Sequence, residues 1–99
     1  MRKITLRAIS SFYMNKPFKQ DNTQVRVGTL KGNPITELLL HDNVIAKTMD
    51  GRLWITASGW LTPTTKERLN GFTQVYIVQW KGVWYLKGKE WDGSWIEVL

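Results

Sequence analysis

The hydrophobic positions of this chain change period once, near residue 17. Over residues 3–14 (KITLRAISSFYM), Leu6, Ala8, Ile9, Phe12 and Tyr13 recur at helical spacing and predict an amphipathic helix with one broad apolar face. Ile4 falls outside that stripe, and Lys3, Arg7, Ser10, Ser11 and Met14 lie opposite it. Pro17 is expected to stop the helix by about Asn15, because the residue before a proline avoids the α region. Residues 17–23 form a polar connector in this reading.

Beyond the connector the period shortens to two. QVRVGTL (24–30), ITELLLH (35–41), NVIAKT (43–48) and RLWITA (52–57) are expected strands. Lys31-Gly32-Asn33-Pro34 is turn chemistry, Asp42-Asn43 marks a bend or tight turn, and Asp50-Gly51 is a hairpin signal because both central positions need φ > 0. Met49 is left for a bulge or a longer loop. Thr64 and Glu67 fit a T-x-x-E capping box, while Pro63 behind Thr62 fits the first helical position. Either reading places a short helix near 63–70, closed by Gly71. QVYIVQW (74–80), VWYLK (83–87) and SWIEV (94–98) complete a C-terminal meander, with Asp92-Gly93 as a second hairpin-type turn. The fold class is therefore α+β, in the order αβββαβββ. A single domain over 1–99 is expected: a basic helix and connector (1–23), then a largely antiparallel twisted sheet of five or six strands with the short helix (24–99). The first helix should cover one sheet face and the second should plug an end.

Composition narrows the function classes. A hydrophobic fraction of 42% with 22% charged residues belongs to a folded globular chain. No apolar run approaches the ~18 residues of a membrane helix, so no membrane role is expected. Arg7, Ser10 and Ser11 interrupt any secretory signal. The absence of cysteine removes disulfides and thiolate metal sites and permits a reducing compartment. The net charge of +6 is unevenly spread: residues 1–36 hold seven bases and one acid (7 − 1 = +6), and residues 37–99 hold seven of each (7 − 7 = 0). Such a basic segment attracts a polyanion or an acidic protein face, although it serves solubility equally well.

The strings L-x-L-H-D-N-V-I-A (38–46), D-G-R-L-W-I-T-A-S-G-W (50–60), T-P-T-T-K-E-R-L-N-G (62–71) and G-V-W-Y-L-K-G-K-E-W-D-G-S-W (82–95) resemble a family of small proteins encoded by tailed bacteriophages. The likeness covers roughly 38–95 and is loose over the first 37 residues. It implies a phage origin and a location in the cytoplasm of a bacterial host. The family has no established activity, so no catalytic or binding residues carry over.

Candidate chemistry is sparse. His41 beside Asp42 has the makings of a general base or a ligand, yet no nucleophile context accompanies it. Asp50 and Asp92 are explained by turns and Glu67 by the capping box, which leaves Glu90 alone without a local role. No glycine-rich phosphate loop is present. No enzymatic activity, cofactor or metal is therefore expected. Six tryptophans are the unusual feature. Trp54, Trp80 and Trp84 are expected in the core, and Trp60, Trp91 and Trp95 are candidates for partial exposure. Tyr85 and Lys87 alternate with Trp84 and Leu86 and are expected to form an outward aromatic and basic strip. The expected function is nucleic-acid binding: those rings stack on unpaired bases while Arg2, Lys3, Arg7, Lys16 and Lys19 neutralise phosphates. The alternative is direct inhibition of a host protein or defence complex, since Trp, Tyr and Arg dominate protein-binding hot spots and the phage resemblance suggests such a role.

Overall fold

A computed structural model describes all of residues 1–99, and its first element is a helix, α1, over Lys3–Tyr13. Its buried side is Ile4, Thr5, Ala8, Ile9 and Phe12, so the stripe expected from the apolar pattern is rotated. Leu6 and Tyr13 face solvent, and Ile4 faces in. The cause is Thr5, polar by type, whose hydroxyl reaches Glu67 and Arg68 from the middle of the buried side. Asn15 ends the helix in a left-handed conformation, φ 54°. Its N–H donates to the Phe12 carbonyl at 3.1 Å and the Lys16 N–H to that of Ser11 at 2.9 Å, the two bonds of a Schellman closure.

The remaining order is β1 (Phe18–Gln20), β2 (Thr23–Leu30), β3 (Asn33–Leu40), β4 (Asn43–Met49), β5 (Arg52–Ile55), α2 (Pro63–Leu69), β6 (Ile77–Trp80), β7 (Val83–Leu86), β8 (Lys89–Glu90) and β9 (Ile96–Val98). Six strands form one antiparallel sheet in the order β1-β2-β3-β4-β5-β9, and β6-β7-β8 form a second, three-stranded sheet. The α+β class stands as expected, but not the order αβββαβββ: five strands precede α2 and four follow it. Pairing differs in two places. The polar connector contains β1, which pairs with β2, and the C-terminal meander divides: β9 leaves the small sheet and joins β5 at the edge of the large one.

Tight turns set the register. Lys31-Gly32, Asp50-Gly51 and Lys81-Gly82 each carry two positive φ values between paired strands, as two-residue hairpin loops require. Met49 pairs directly with Arg52, so it needs no bulge. The irregularity falls instead between Leu38 and Leu39, where β4 carries Ile45 as its extra residue. One rank of side chains crosses all six strands on the core side: Phe18, Val25, Leu38, Ala46, Ile55 and Ile96. α1 packs on β1, β2 and β3, and the core continues through Leu69, Phe72, Ile77, Trp84, Leu86 and Trp91. The rank on the opposite side is Arg26, Glu37, Lys47, Trp54 and Glu97, with Arg26 bonded to Glu37 at 2.9 Å. Alternation of apolar and charged ranks is the signature of a sheet covered on one face only.

α2 starts at Thr62, not Thr64: the Thr62 hydroxyl accepts from the Thr65 N–H at 3.2 Å, and Pro63 takes the first helical position. Glu67 is thereby released from the capping role. It bonds Arg68 and the Thr5 hydroxyl instead. Arg68 is only 1% exposed, with Nε on Thr23 Oγ1 at 3.0 Å and Nη1 on Thr5 Oγ1 at 2.9 Å. A buried guanidinium is tolerable only when paired and hydrogen-bonded, and this one ties α2 to α1 and to the start of β2. Gly71, just past α2, admits α1 to close range: a Cβ there would stand 2.6 Å from Ile9 Cγ1.

Candidate functional site

The turns at one end of the large sheet build a cleft. Between β3 and β4 the loop is His41-Asp42, with φ values of 50° and 65° and no glycine. Aspartate and histidine tolerate the left-handed region better than most residues. The His41 N–H donates to the Asn22 carbonyl at 2.8 Å, which docks this turn on the β1–β2 turn. Opposite it, Ala57-Ser58-Gly59-Trp60 reverses the chain: Ser58 and Gly59 have φ 53° and 82°, and the Trp60 N–H closes on the Ala57 carbonyl at 2.8 Å. The reversal throws the Trp60 indole outward, leaving that residue 59% exposed.

A cavity of about 320 Å³ lies between these turns and the first turn of α2. Leu40, Ile45 and Ala57 supply its apolar surface, Trp60 its rim, and His41, Asn43, Thr62, Thr64 and Thr65 its polar groups. A second, wholly polar cleft of about 240 Å³ adjoins it across His41 and includes Lys19, Asp21, Asn22 and Asp42. Thus Lys19 and Trp60, two residues singled out from sequence, lie on either side of His41.

The other candidates are dispersed. Arg2, Lys3 and Arg7 are exposed at the start and on the outer side of α1, and Lys16 follows its end. Tyr85 is half-buried on β7, on the side opposite Trp84 and Leu86. Lys87 is exposed, and its Nζ donates to the Leu99 carbonyl at 2.8 Å. Trp95 is 45% exposed, with Lys47 Nζ 4.6 Å from its ring centre. Trp91, a candidate for partial exposure, is buried. Its indole N–H donates to the Ser94 carbonyl at 2.9 Å, and its ring lies 6.2 Å from that of Trp84. The hydrogen bond satisfies the one polar atom of the ring, so burial costs it nothing there.

Trp80, expected in the core, is 62% exposed. The Lys81-Gly82 loop pairs Trp80 with Val83 and Gln79 with Trp84, so the two indoles point to opposite sides of the small sheet. Lys81 Nζ lies 4.6 Å from the Trp80 ring centre. Both cation–π pairs therefore draw their lysines from the neutral two-thirds of the chain, and none comes from the basic first third. Sequence reasoning missed this. The adjacency of Trp80 and Lys81 was a signal in plain view, whereas Lys47 and Trp95 meet only through the sheet.

Among titratable groups, Asp92 is held below its ordinary value of 3.8, chiefly by a side-chain hydrogen bond with Ser94 and then by the Ser94 main-chain N–H. That is turn chemistry at the surface. No three His, Asp or Glu side chains converge as a metal cluster.

The fold and surface define a class: a small α+β protein with one open sheet face, indoles left in solvent and a mixed cleft at its turn end. Within that class the chain belongs to a phage family, the Kyanoviridae Gp96 proteins, which it matches over residues 1–97. The match takes in the first 37 residues, where the resemblance read from sequence was loose. No curated protein matches the chain, and no solved structure does. No helix is long and apolar enough to cross a membrane.

Proposed function

We propose that this phage protein binds single-stranded nucleic acid in the host cytoplasm, without catalysing a reaction. The observation that supports the reading is the exposure of Trp60, Trp80 and Trp95 on a chain of net charge +6. Indoles are highly buried on average, and they are enriched where a protein meets a partner. A stacked base is such a partner, worth about 1–3 kcal/mol per ring by alanine substitution. On α1, Lys3 and Arg7 stand four residues apart on one side and repel mildly, and a phosphate between them relieves that repulsion. Arg2 and Lys16 extend the positive surface, whereas Lys19 shares its cleft with Asp21 and Asp42.

The test is a titration with oligothymidylate and a mixed-sequence RNA between about 50 and 200 mM salt, where counterion release lowers the binding constant steeply. Affinity is expected to fall by roughly 0.7 log unit per log unit of salt for each phosphate neutralised. Failure to bind at the lower salt overturns the reading.

A second reading, stoichiometric capture of a host protein, draws support from the outer face of the small sheet. Val78, Trp80 and Val83 share that face uncovered or half-covered, and Leu61 lies beside Val83. It predicts that one host protein is recovered in near-equal amount and is lost with Val78→Asp, while the thermal transition is kept. Recovery unchanged by Val78→Asp counts against that face.

A further inference from the structure

We propose that the cleft between the His41-Asp42 turn and the first turn of α2 is a nucleobase site. The proposal rests on the reading of the protein as a nucleic-acid binder, and it names where one base of the strand is held. The cavity of about 320 Å³ is of ligand size. Its make-up suits a flat heterocycle with a polar edge. Leu40, Ile45 and Ala57 give an apolar wall, and Trp60 gives an aromatic rim held by main-chain bonds to Ala57 and from Thr62. Because the backbone that carries the ring is fixed in advance, stacking needs only the indole side chain itself to be ordered.

The polar groups are equally particular. Thr62 and Thr65 are engaged with each other at 3.0 Å. Asn43 spends one amide hydrogen on the His41 carbonyl at 3.1 Å, which leaves its Oδ1 free to accept. Thr64 and His41 also line the cavity. Together they offer donors and acceptors to the edge of a base, the mode by which unpaired bases are held.

Charge selects the base over its phosphate. No Lys, Arg, Asp or Glu lines the cavity. The adjoining cleft holds Asp21 and Asp42 against Lys19, a balance of 1 − 2 = −1. An anion gains nothing in either place, so the phosphates of a bound strand run outside, and a nucleoside is held at least as well as its 5′-monophosphate.

The experiment is an NMR titration of the full chain with adenosine, guanosine, cytidine and uridine, then with their 5′-monophosphates, beside the oligonucleotide titration. At least one nucleoside is expected to shift the Trp60 indole N–H and the Thr64 amide, with no tightening from the phosphate. Trp60→Ala is expected to abolish those shifts and to weaken oligonucleotide binding roughly 5- to 150-fold, the worth of one stacked base. Thr64→Val, which leaves the ring in place, should weaken nucleoside binding with no change in melting temperature. Oligonucleotide binding that neither moves the Trp60 signal nor responds to Trp60→Ala overturns the site and leaves the proposed function intact. Nucleoside binding at the cleft without any oligonucleotide binding upholds the site and overturns the function. Binding of neither overturns both.

Discussion

Trp84 and Trp80 stand on adjacent strands of one hairpin and meet opposite fates. Trp84 is shut into the core beside Trp91, while Trp80 lies in water under the Lys81 ammonium. The same division holds for arginine: Arg68 is enclosed by two threonine hydroxyls and Glu67, whereas Arg7 projects from α1. Residue type therefore says little here about role. The tryptophans are separated by the side of the strand the register assigns, and the arginines by whether the guanidinium finds partners inside.

The sharpest way to break this division is Trp84→Ala, expected to cost about 3–5 kcal/mol of unfolding free energy in urea titration. A loss no larger than that of Trp80→Ala would erase the distinction. Arg68→Met keeps the volume but strips Thr5, Thr23 and Glu67 of their common partner. About 3 kcal/mol should go, the lower end of the range for a broken buried pair, because Glu67 keeps some contact with water. Gly71→Ala pushes a methyl group toward Ile9 and Thr5 and is expected to cost about 1–3 kcal/mol by forcing α1 outward. Trp80→Ala should leave stability within about 0.5 kcal/mol, as surface changes do, while weakening oligonucleotide affinity. The smallest effect belongs to Asp92→Ala. The carboxyl of Asp92 sits below its ordinary value, so its contribution is present above that value and fades as pH falls through the lowered one. The difference between variant and parent in thermal melts should therefore shrink in acid and be unchanged between neutral and alkaline pH.

Much of the architecture was legible because glycine-containing turns carry their own geometry. Asp50-Gly51 and Lys81-Gly82 dictate two-residue loops, and the strands on either side follow from alternation. The Lys81-Gly82 loop even forbids Trp80 and Trp84 from sharing a face. Alternation alone does not say which face the core will claim. The rotated stripe of α1 was not legible for a related reason: Thr5 is buried by an arginine 63 residues away, and no local pattern announces it. The departure of β9 from the meander has the same origin, since its partner β5 lies more than 40 residues earlier. At the site, Trp60 could be singled out because it follows Ser58-Gly59 at a strand-to-helix junction, and Lys19 because it was basic. Their placement on either side of His41 depends on the docked β1–β2 and β3–β4 turns and on the separate Ala57–Trp60 reversal, held by main-chain bonds that side-chain chemistry does not encode.

The guanidinium of Arg68 has a consequence for synthesis. Two of its partners, Thr5 and Thr23, precede it by 63 and 45 residues. A nascent chain emerging from the ribosome can lay its amino-terminal helix on β1, β2 and β3 early, but the bonds from Arg68 to Thr5 and Thr23 wait until two-thirds of the polypeptide is out. Up to that moment Thr5 sits among apolar side chains without the guanidinium it meets in the finished fold.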